Sequence, residues 1–211
     1  MLIEILPVGP FQCNCIILGD EATKTGIIID PGDEAERILD IVKQNDLTIT
    51  HILHTHAHLD HIGATRKVHE ETGAPIYVHQ DDEWLYQNLK MQGDLFGLQT
   101  EPVVPINQYL TDGLTLAFGA HETKTIHTPG HTPGSCSFEM HKEEKPILFS
   151  GDTLFQGSIG RTDLWGGSME TILQSINNRL LPLQEDTQVY PGHGPVTTIW
   201  DEKKRNPFLQ G

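Results

Sequence analysis

The sequence predicts an α/β protein built as a four-layer α/β/β/α sandwich. Short runs rich in Ile, Leu and Val recur in both halves of the 211-residue chain, apolar stripes at helical spacing separate them, and the two halves repeat the same order of elements without detectable identity. Two β-rich halves that each carry helices can bury all their apolar faces by stacking the sheets and placing the helices outside. No stretch of Pro, Ser and charge is long enough to be a linker, so residues 1–211 are expected to form one domain.

Residues 2–8, 14–18 and 26–30 are aliphatic, are punctuated by Gly-Pro or Gly-Asp, and read as strands. After Asp30-Pro31-Gly32, residues Ala35, Ile38, Leu39 and Val42 fall at helical spacing, with Asp33 as the expected N-cap. Residues 48–53 return to strand character, a helix is expected after Asp60 with Gly73 as its stop, and a strand follows at 75–78. Residues 81–89 read as helical. Residues 90–108 carry Gly93, Gly97, Pro102 and Pro105 without periodicity and are expected to form a long surface loop, placed as a lid would be. In the second half, strands are expected near 114–118, 122–127, 135–140 and 146–150, followed by a Gly-rich loop over 156–167. Met169, Ile172, Leu173, Ile176 and Leu180 then form the stripe of a helix lying on a sheet, capped by Ser168.

Charge excludes some function classes. The chain has 14 Lys and Arg against 29 Asp and Glu, a formal net charge of −15, so the broad basic face of a nucleic-acid binder is missing. No apolar run approaches the length of a membrane span. The start, M-L-I-E-I-L-P-V, lacks the basic and apolar regions of a signal peptide, and a cytoplasmic protein is expected. The three cysteines, Cys13, Cys15 and Cys136, are an odd number and too few for a disulfide framework. Cys13 and Cys15 would point to one face of a strand as small buried hydrophobes. No heptad pattern or apolar surface stripe can be separated from the core positions, so oligomeric state is not legible. The outlying count is 12 histidines, the commonest metal ligand, in so acidic a chain.

Directly after the strand at 48–53 comes L-H-T-H-A-H-L-D-H-I-G. His56 and His58, two apart, cannot share a helix face, so a turn is implied. If a helix then starts near Asp60, the donors of His56, His58, Asp60 and His61 converge in one loop on a rigid strand end. Three further signals each place one donor in a tight turn after a strand: His131 in T-P-G-H-T-P-G, Asp152 in F-S-G-D-T, and His193 in P-G-H-G. Each alone is weak; together with the first cluster they form a metal-ligand constellation.

In this order, over nearly the whole chain, T-H-A-H-L-D-H, His131, Asp152 and His193 resemble the metallo-β-lactamase fold superfamily, and within it the glyoxalase II branch. G-R-T-D-L (Gly160 to Leu164) and N-P-F-L (Asn206 to Leu209) are similar to the short, single-domain bacterial members of that group. The resemblance implies one metal held by His56, His58 and His131, a second held by Asp60, His61 and His193, and Asp152 bridging both. Many two-domain members carry T-H-H-H, so Ala57 is a departure, at a position that is not a ligand. The C-terminal helical domain that holds glutathione in those enzymes is not expected in this chain, which leaves the thiol half of the substrate open.

Five imidazoles and two carboxylates suit zinc, iron or manganese, with zinc the first expectation for two divalent ions. Two such ions against two carboxylates leave positive charge that favours a hydroxide between them, a nucleophile at neutral pH that Asp60 would orient. The same ions would stabilise an oxyanion and a departing thiolate. The expected reaction is hydrolysis of a small-molecule acyl thioester, such as an S-(2-hydroxyacyl) thiol. Alternatives are a lactonase with the same dinuclear site and a persulfide dioxygenase with a single iron, a group similar to this chain in its G-R-T-D run. A β-lactamase fits less well, because such enzymes are exported and commonly place Cys where Asp152 stands. A passive metal buffer has no need of a bridging carboxylate.

Arg161, in the Gly-rich loop, is expected either to bind a ligating or substrate carboxylate or to pair with Asp163. His54 and His127 are the expected outer supports of the ligands, and His51, His69, His79, His121 and His141 are expected to be structural. Lys203, Lys204 and Arg205 form a small basic run, either solvated or able to catch an anionic thiol.

Overall fold

The computed structural model describes residues 1–142 and 145–210. The chain begins with three antiparallel strands, β1 (Leu2–Val8), β2 (Cys13–Gly19) and β3 (Thr25–Ile29). Helix α1 (Ala35–Gln44) crosses to β4 (Thr48–Leu53), which runs parallel to β3. Short helices α2 (Leu59–Ile62) and α3 (Thr65–Thr72) cross to β5 (Ile76–His79), parallel to β4. Helices α4 (Glu83–Gln87) and α5 (Leu89–Phe96) lead to β6 (Gln108–Leu110), which completes a six-stranded sheet in sequential order.

The second half supplies β7 (Thr115–Phe118), β8 (His121–His127), β9 (Cys136–Lys142), β10 (Lys145–Gly151), a ribbon of β11 (Leu154–Phe155) and β12 (Ser158–Ile159), then α6 (Met169–Ser175), β13 (Gln188–Pro191), β14 (Thr197–Thr198) and α7 (Ile199–Arg205). Its six-stranded sheet runs β14-β13-β10-β9-β8-β7, with β13 parallel to β10.

Three apolar clusters fix the four layers. Ile17, Ile28 and Ile52 of the first sheet pack against Ile38 of α1 and Val68 of α3. Leu18, Ile27 and Ile29 meet Phe138, Ile147 and Phe149 of the second sheet between the two sheets. Leu148 and Val189, on the far face of the second sheet, pack against Ile172 of α6, Ile176 and Leu180 beyond it, and Ile199. Ile27, Ile28 and Ile29 alternate between two cores, which is why β3 is aliphatic at every position. A fully buried side chain of this size contributes roughly 1.5–3 kcal/mol.

Several expectations change in detail. Asp33 is not the cap of α1: Glu34 holds that position at φ 51 without a side-chain cap, and Asp33 Oδ1 instead accepts from the Glu34 N–H at 2.6 Å. The helix after Asp60 is broken in two at Gly63, where a side chain would collide with the Gly32 carbonyl, while Gly73 ends α3 at φ 69 as expected. Residues 90–108 are not one long loop. Most of α5 lies there, and Leu98, Val103, Val104 and Ile106 pack on the first core. Gly93 hides that helix from the sequence, yet it is needed because a side chain there would press on Thr100 and the Leu98 carbonyl. Ser168 caps α6 as expected, accepting from the Thr171 N–H at 3.3 Å. Among the described residues no helix is long and apolar enough to cross a membrane.

Candidate metal centre

The parallel strands of both sheets end at one edge, and the donors leave from those ends. His56 and His58 follow β4, and α2 opens immediately with Asp60 and His61 in its first turn. His131 lies between β8 and β9, Asp152 follows β10, and His193 follows β13. Gly192 lets the last of these turns approach: a side chain there would collide with Asp152 Oδ1.

The seven side chains meet in two sets. His58 Nδ1 and His56 Nε2 lie 2.8 and 3.2 Å from His131 Nε2. His61 Nε2 and Asp60 Oδ2 lie 3.3 and 3.2 Å from His193 Nε2. Asp152 stands between the sets, with Oδ2 3.6 Å from both His131 Nε2 and His193 Nε2 and Oδ1 3.4 Å from His61 Nε2. Ligand atoms of His56, His58 and His131, and of His56, His61 and Asp152, all lie within 4.8 Å of one another.

The outer nitrogens show that the His56–His131 and His61–His193 approaches are not hydrogen bonds between neutral rings. His131 Nδ1 donates to the Arg161 carbonyl at 2.7 Å and His193 Nδ1 to the Phe11 carbonyl at 3.0 Å. His61 Nδ1 donates to Asp30 Oδ2 at 3.0 Å. The Thr55 hydroxyl donates to the same Asp30 oxygen at 2.6 Å, so it accepts from His56 Nδ1 at 3.1 Å. With the proton placed outward on these four rings, the inward Nε2 atoms carry lone pairs that face one another, and Asp152 Oδ1 is buried without a hydrogen-bond partner. Lone pairs and carboxylates gathered this closely are satisfied by cations, so the donor set fits two metal ions.

Charge agrees with that fit. Burial pushes His56 and His58 well below the usual imidazole range and keeps them neutral, the form that ligates. At His61 burial opposes a charge, but the carboxylates of Asp152, Asp30 and Asp60 around it favour one and raise its proton affinity. His193 is raised in the same way, against its burial, by Asp60 and Asp152. Burial also opposes the Asp60 charge, and the imidazoles of His61 and His193 hold that carboxyl below its usual range. The excess negative charge that attracts protons here is what a cation would neutralise.

Sequence reasoning missed three supports. Asp30, buried and at φ 53, accepts from the Thr55 N–H at 2.7 Å as well as from Thr55 Oγ1 and His61. An acidic residue directly after the Ile27–Ile29 run was the available signal, parallel to Asp152 after β10. Asp82, fully buried, ties the two halves together, accepting from the Ala57 N–H (2.9 Å), the Thr132 hydroxyl (2.8 Å) and the Gly134 N–H (2.7 Å). Gln92 holds the 57–59 turn through the Leu59 N–H and the Ala57 carbonyl, both at 3.0 Å.

Other residues find plainer places. His54 supports no ligand: its ring nitrogens meet the Tyr77 carbonyl and Thr65 Oγ1. His127 donates to the Pro133 carbonyl and stacks on His79. Ala57 packs in the first core. Cys13 and Cys15 are buried on that same face, and burial pushes the Cys13 thiol up to about 12, although its Sγ also lies 3.5 Å from His61 Nδ1 on the outer side of the ring. The Arg161 guanidinium pairs with Asp163 at 2.7 and 2.9 Å. Lys203 and Arg205 pair with Glu185 and Asp201 near the end of α7.

A cavity of about 440 Å³ opens over the centre, with His58, Asp60, His131, Asp152 and His193 on its floor and Phe11, Phe96, Phe155, Arg161 and Trp165 among its walls. The profile of the metallo-beta-lactamase superfamily matches residues 8–193. The chain is 42% identical over 211 residues to hydroxyacylglutathione hydrolase GloC of Haemophilus influenzae, covering 99% of this chain and 98% of that protein. The crystal structure of BLEG-1 B3 metallo-beta-lactamase superposes with a TM-score of 0.91 at 42% identity, over 100% of both chains. The di-iron-bound form of TTHA1623 superposes with a TM-score of 0.86 at 37% identity, over 98% of this chain and 100% of that one. With its donors gathered at one sheet edge and matched along its length, this chain belongs to the metallo-beta-lactamase superfamily, as a metallo-hydrolase.

Proposed function

We propose that the protein hydrolyses acyl thioesters, such as an S-(2-hydroxyacyl) thiol, to a carboxylic acid and a free thiol, using two divalent ions, zinc first and iron or manganese as compatible replacements. The observation that carries this reading is the pair of donor sets on either side of Asp152, their lone pairs turned inward beneath an open cavity. Full-length similarity to a protein named hydroxyacylglutathione hydrolase supports the thioester class. His56, His58 and His131 would hold one ion, Asp60, His61 and His193 the other, and Asp152 both. When bound, such ions would supply a hydroxide at neutral pH and would stabilise developing oxyanion and thiolate charge.

The chain's own groups do the rest. Asp60, charged and on the cavity floor, accepts a hydrogen bond from the attacking oxygen and so aims it. The outward N–H bonds of His56, His61, His131 and His193 hold the rings in the ligating tautomer. Arg161 stands at the cavity wall, where it would meet a substrate carboxylate by leaving Asp163. The free, buried thiols of Cys13, Cys15 and Cys136 support a cytoplasmic setting.

The test is thiol release from acyl thioesters by zinc-loaded and by chelated protein, with metal counted in the same samples. Chelator-sensitive release with about two ions per chain is expected. Absence of release from every thioester overturns the reading, and oxygen uptake on a persulfide with a single iron would replace it. Full-length similarity to BLEG-1 favours β-lactam amide hydrolysis as a second reading. A parallel assay on a β-lactam decides between them.

A further inference from the structure

The walls above the metal centre are apolar on both flanks, and they are tied to its ligands. The Phe11 carbonyl accepts from His193 Nδ1 at 3.0 Å, while its side chain meets the edge of Phe96 at 5.5 Å between centroids and 79° between planes. That bond fixes the turn carrying Phe11, so the ring is held at the mouth by the same residue that orients His193. Both residues are 39% exposed and adjacent on the cavity wall, so they offer it a contiguous apolar surface. Of the other aromatic walls, Trp165 lies 6.0 Å from the His58 ring and Phe155 lies 6.3 Å from the His193 ring. Ile159 and Leu164 also line the cavity.

Away from the metal centre, the walls offer little positive charge to an ionic substrate. Among the described residues lining this cavity, Arg161 carries the one guanidinium or ammonium group, and Asp163 occupies it with two hydrogen bonds. The neighbouring groove, which shares Phe11, Leu59 and Asp60 with the cavity, is edged by Asp33, Glu34, Glu36 and Glu101 against a single cation, Lys67, which Glu71 engages. An anionic carrier laid along that groove would meet like charge. An apolar group loses little by leaving water for such walls, and aromatic rings supply large contact area with few rotatable bonds.

We propose that the substrate group seated beside the scissile bond is uncharged and apolar, a bulky aliphatic or aryl chain gripped between the Phe11–Phe96 pair and Trp165. The inference takes its reaction from the thioester reading above and adds the chemical class of the bound group. Phe11 and Phe96 are then specificity residues, because they touch that group and not the reacting atoms.

The experiment uses two series on the zinc-loaded full chain: thioesters of one small uncharged thiol with acyl groups from acetyl to phenylbutyryl, and acetyl esters of thiols from methanethiol to benzyl mercaptan. Along one series kcat/KM is expected to rise about tenfold or more, the scale of discrimination by apolar contact. A rise along the first series places the apolar group on the acyl side, and a rise along the second places it on the thiol side. In Phe11→Ala and Phe96→Ala the ratio between the longest and shortest substrates is expected to collapse several-fold, with metal content and melting followed to show that the centre is intact. Flat series, or preference for the dicarboxylate tripeptide glutathione over uncharged thiols, overturn the inference. If no thioester releases thiol, the hydrolase reading fails and calorimetric binding decides this one. Phenylbutyrate binding about tenfold more tightly than acetate, with the advantage lost in Phe11→Ala, supports it, and equal binding overturns it.

Discussion

In the first half of the molecule four donor side chains leave one strand end within six residues, whereas the second half delivers His131, Asp152 and His193 from three separate turns. The supports differ too. His56 and His61 lean on side chains, through Thr55 and Asp30, while His131 and His193 lean on the carbonyls of Arg161 and Phe11. A local turn thus places the first group and side-chain chemistry orients it. Sheet pairing, above all the parallel register of β10 and β13, places the second group, and the backbone orients it. Substitution can strip support from the first group directly and from the second hardly at all.

The residue where the two groups meet is the place to break this division. Asp152 approaches His131 of one metal set and His61 and His193 of the other, so Asp152→Ala is expected to empty both metal positions and to lower kcat/KM by roughly 10³-fold or more, the scale of losing a principal source of transition-state charge stabilisation. Elemental analysis beside the thiol-release rate checks it. Retention of one ion would mean that Asp152 serves a single set.

Asp30→Asn tests the side-chain half. The amide cannot accept from the Thr55 N–H, the Thr55 hydroxyl and His61 together, and His61 loses its charged partner. Metal affinity is expected to fall about 10–100-fold, with the ion at His61 lost first in a chelator titration. Arg161→Ala tests the backbone half. It leaves the carbonyl on His131 Nδ1 in place, so metal affinity should change by less than about twofold. Because the guanidinium is engaged by Asp163, KM should rise only a few-fold; a hundredfold rise would show that Arg161 leaves Asp163 to bind a substrate carboxylate.

The same division explains what the sequence made legible. Donors crowded into T-H-A-H-L-D-H announce themselves, because side chains of that kind have no packing role at such density. His131, Asp152 and His193 were readable from the Gly and Pro that tighten their turns and from the strands before them. Asp30 and Asp82 were not readable as supports. Asp30 sits in a Pro-Gly turn that punctuation alone explains, and its left-handed backbone leaves no mark in composition. Asp82 acts through partners 25, 50 and 52 residues away, a relation only tertiary structure creates. Helix α5 was lost to Gly93, whose missing side chain answers to Thr100 and Leu98, not to local propensity. The four-layer arrangement was legible from two β-rich halves with helical stripes between the strands, whereas the order of strands within each sheet is set by tertiary pairing.

The smallest expected effect lies at the opposite end of the sandwich, where the two sheets are joined away from the metals. Asp20, in the turn between β2 and β3, accepts from the Ala120 N–H at 2.7 Å in the turn between β7 and β8, and from the Ala22 N–H at 2.9 Å. Those backbone bonds hold its carboxyl at about 2, below the usual 3.8. A carboxyl depressed by folding contributes stability that is complete above its unfolded value and is lost as pH falls from 3.8 towards 2. Asp20→Asn is therefore expected to melt somewhat lower than the parent at pH 7, with the gap closing through that window and vanishing below it. Melting curves of metal-free protein from pH 7 to pH 2 check this without interference from the centre. A gap that persists unchanged at pH 2 would place the Asp20 contribution in packing instead of charge, and the joint between the halves at this end would then be as insensitive to side-chain chemistry as the backbone-held ligands at the other.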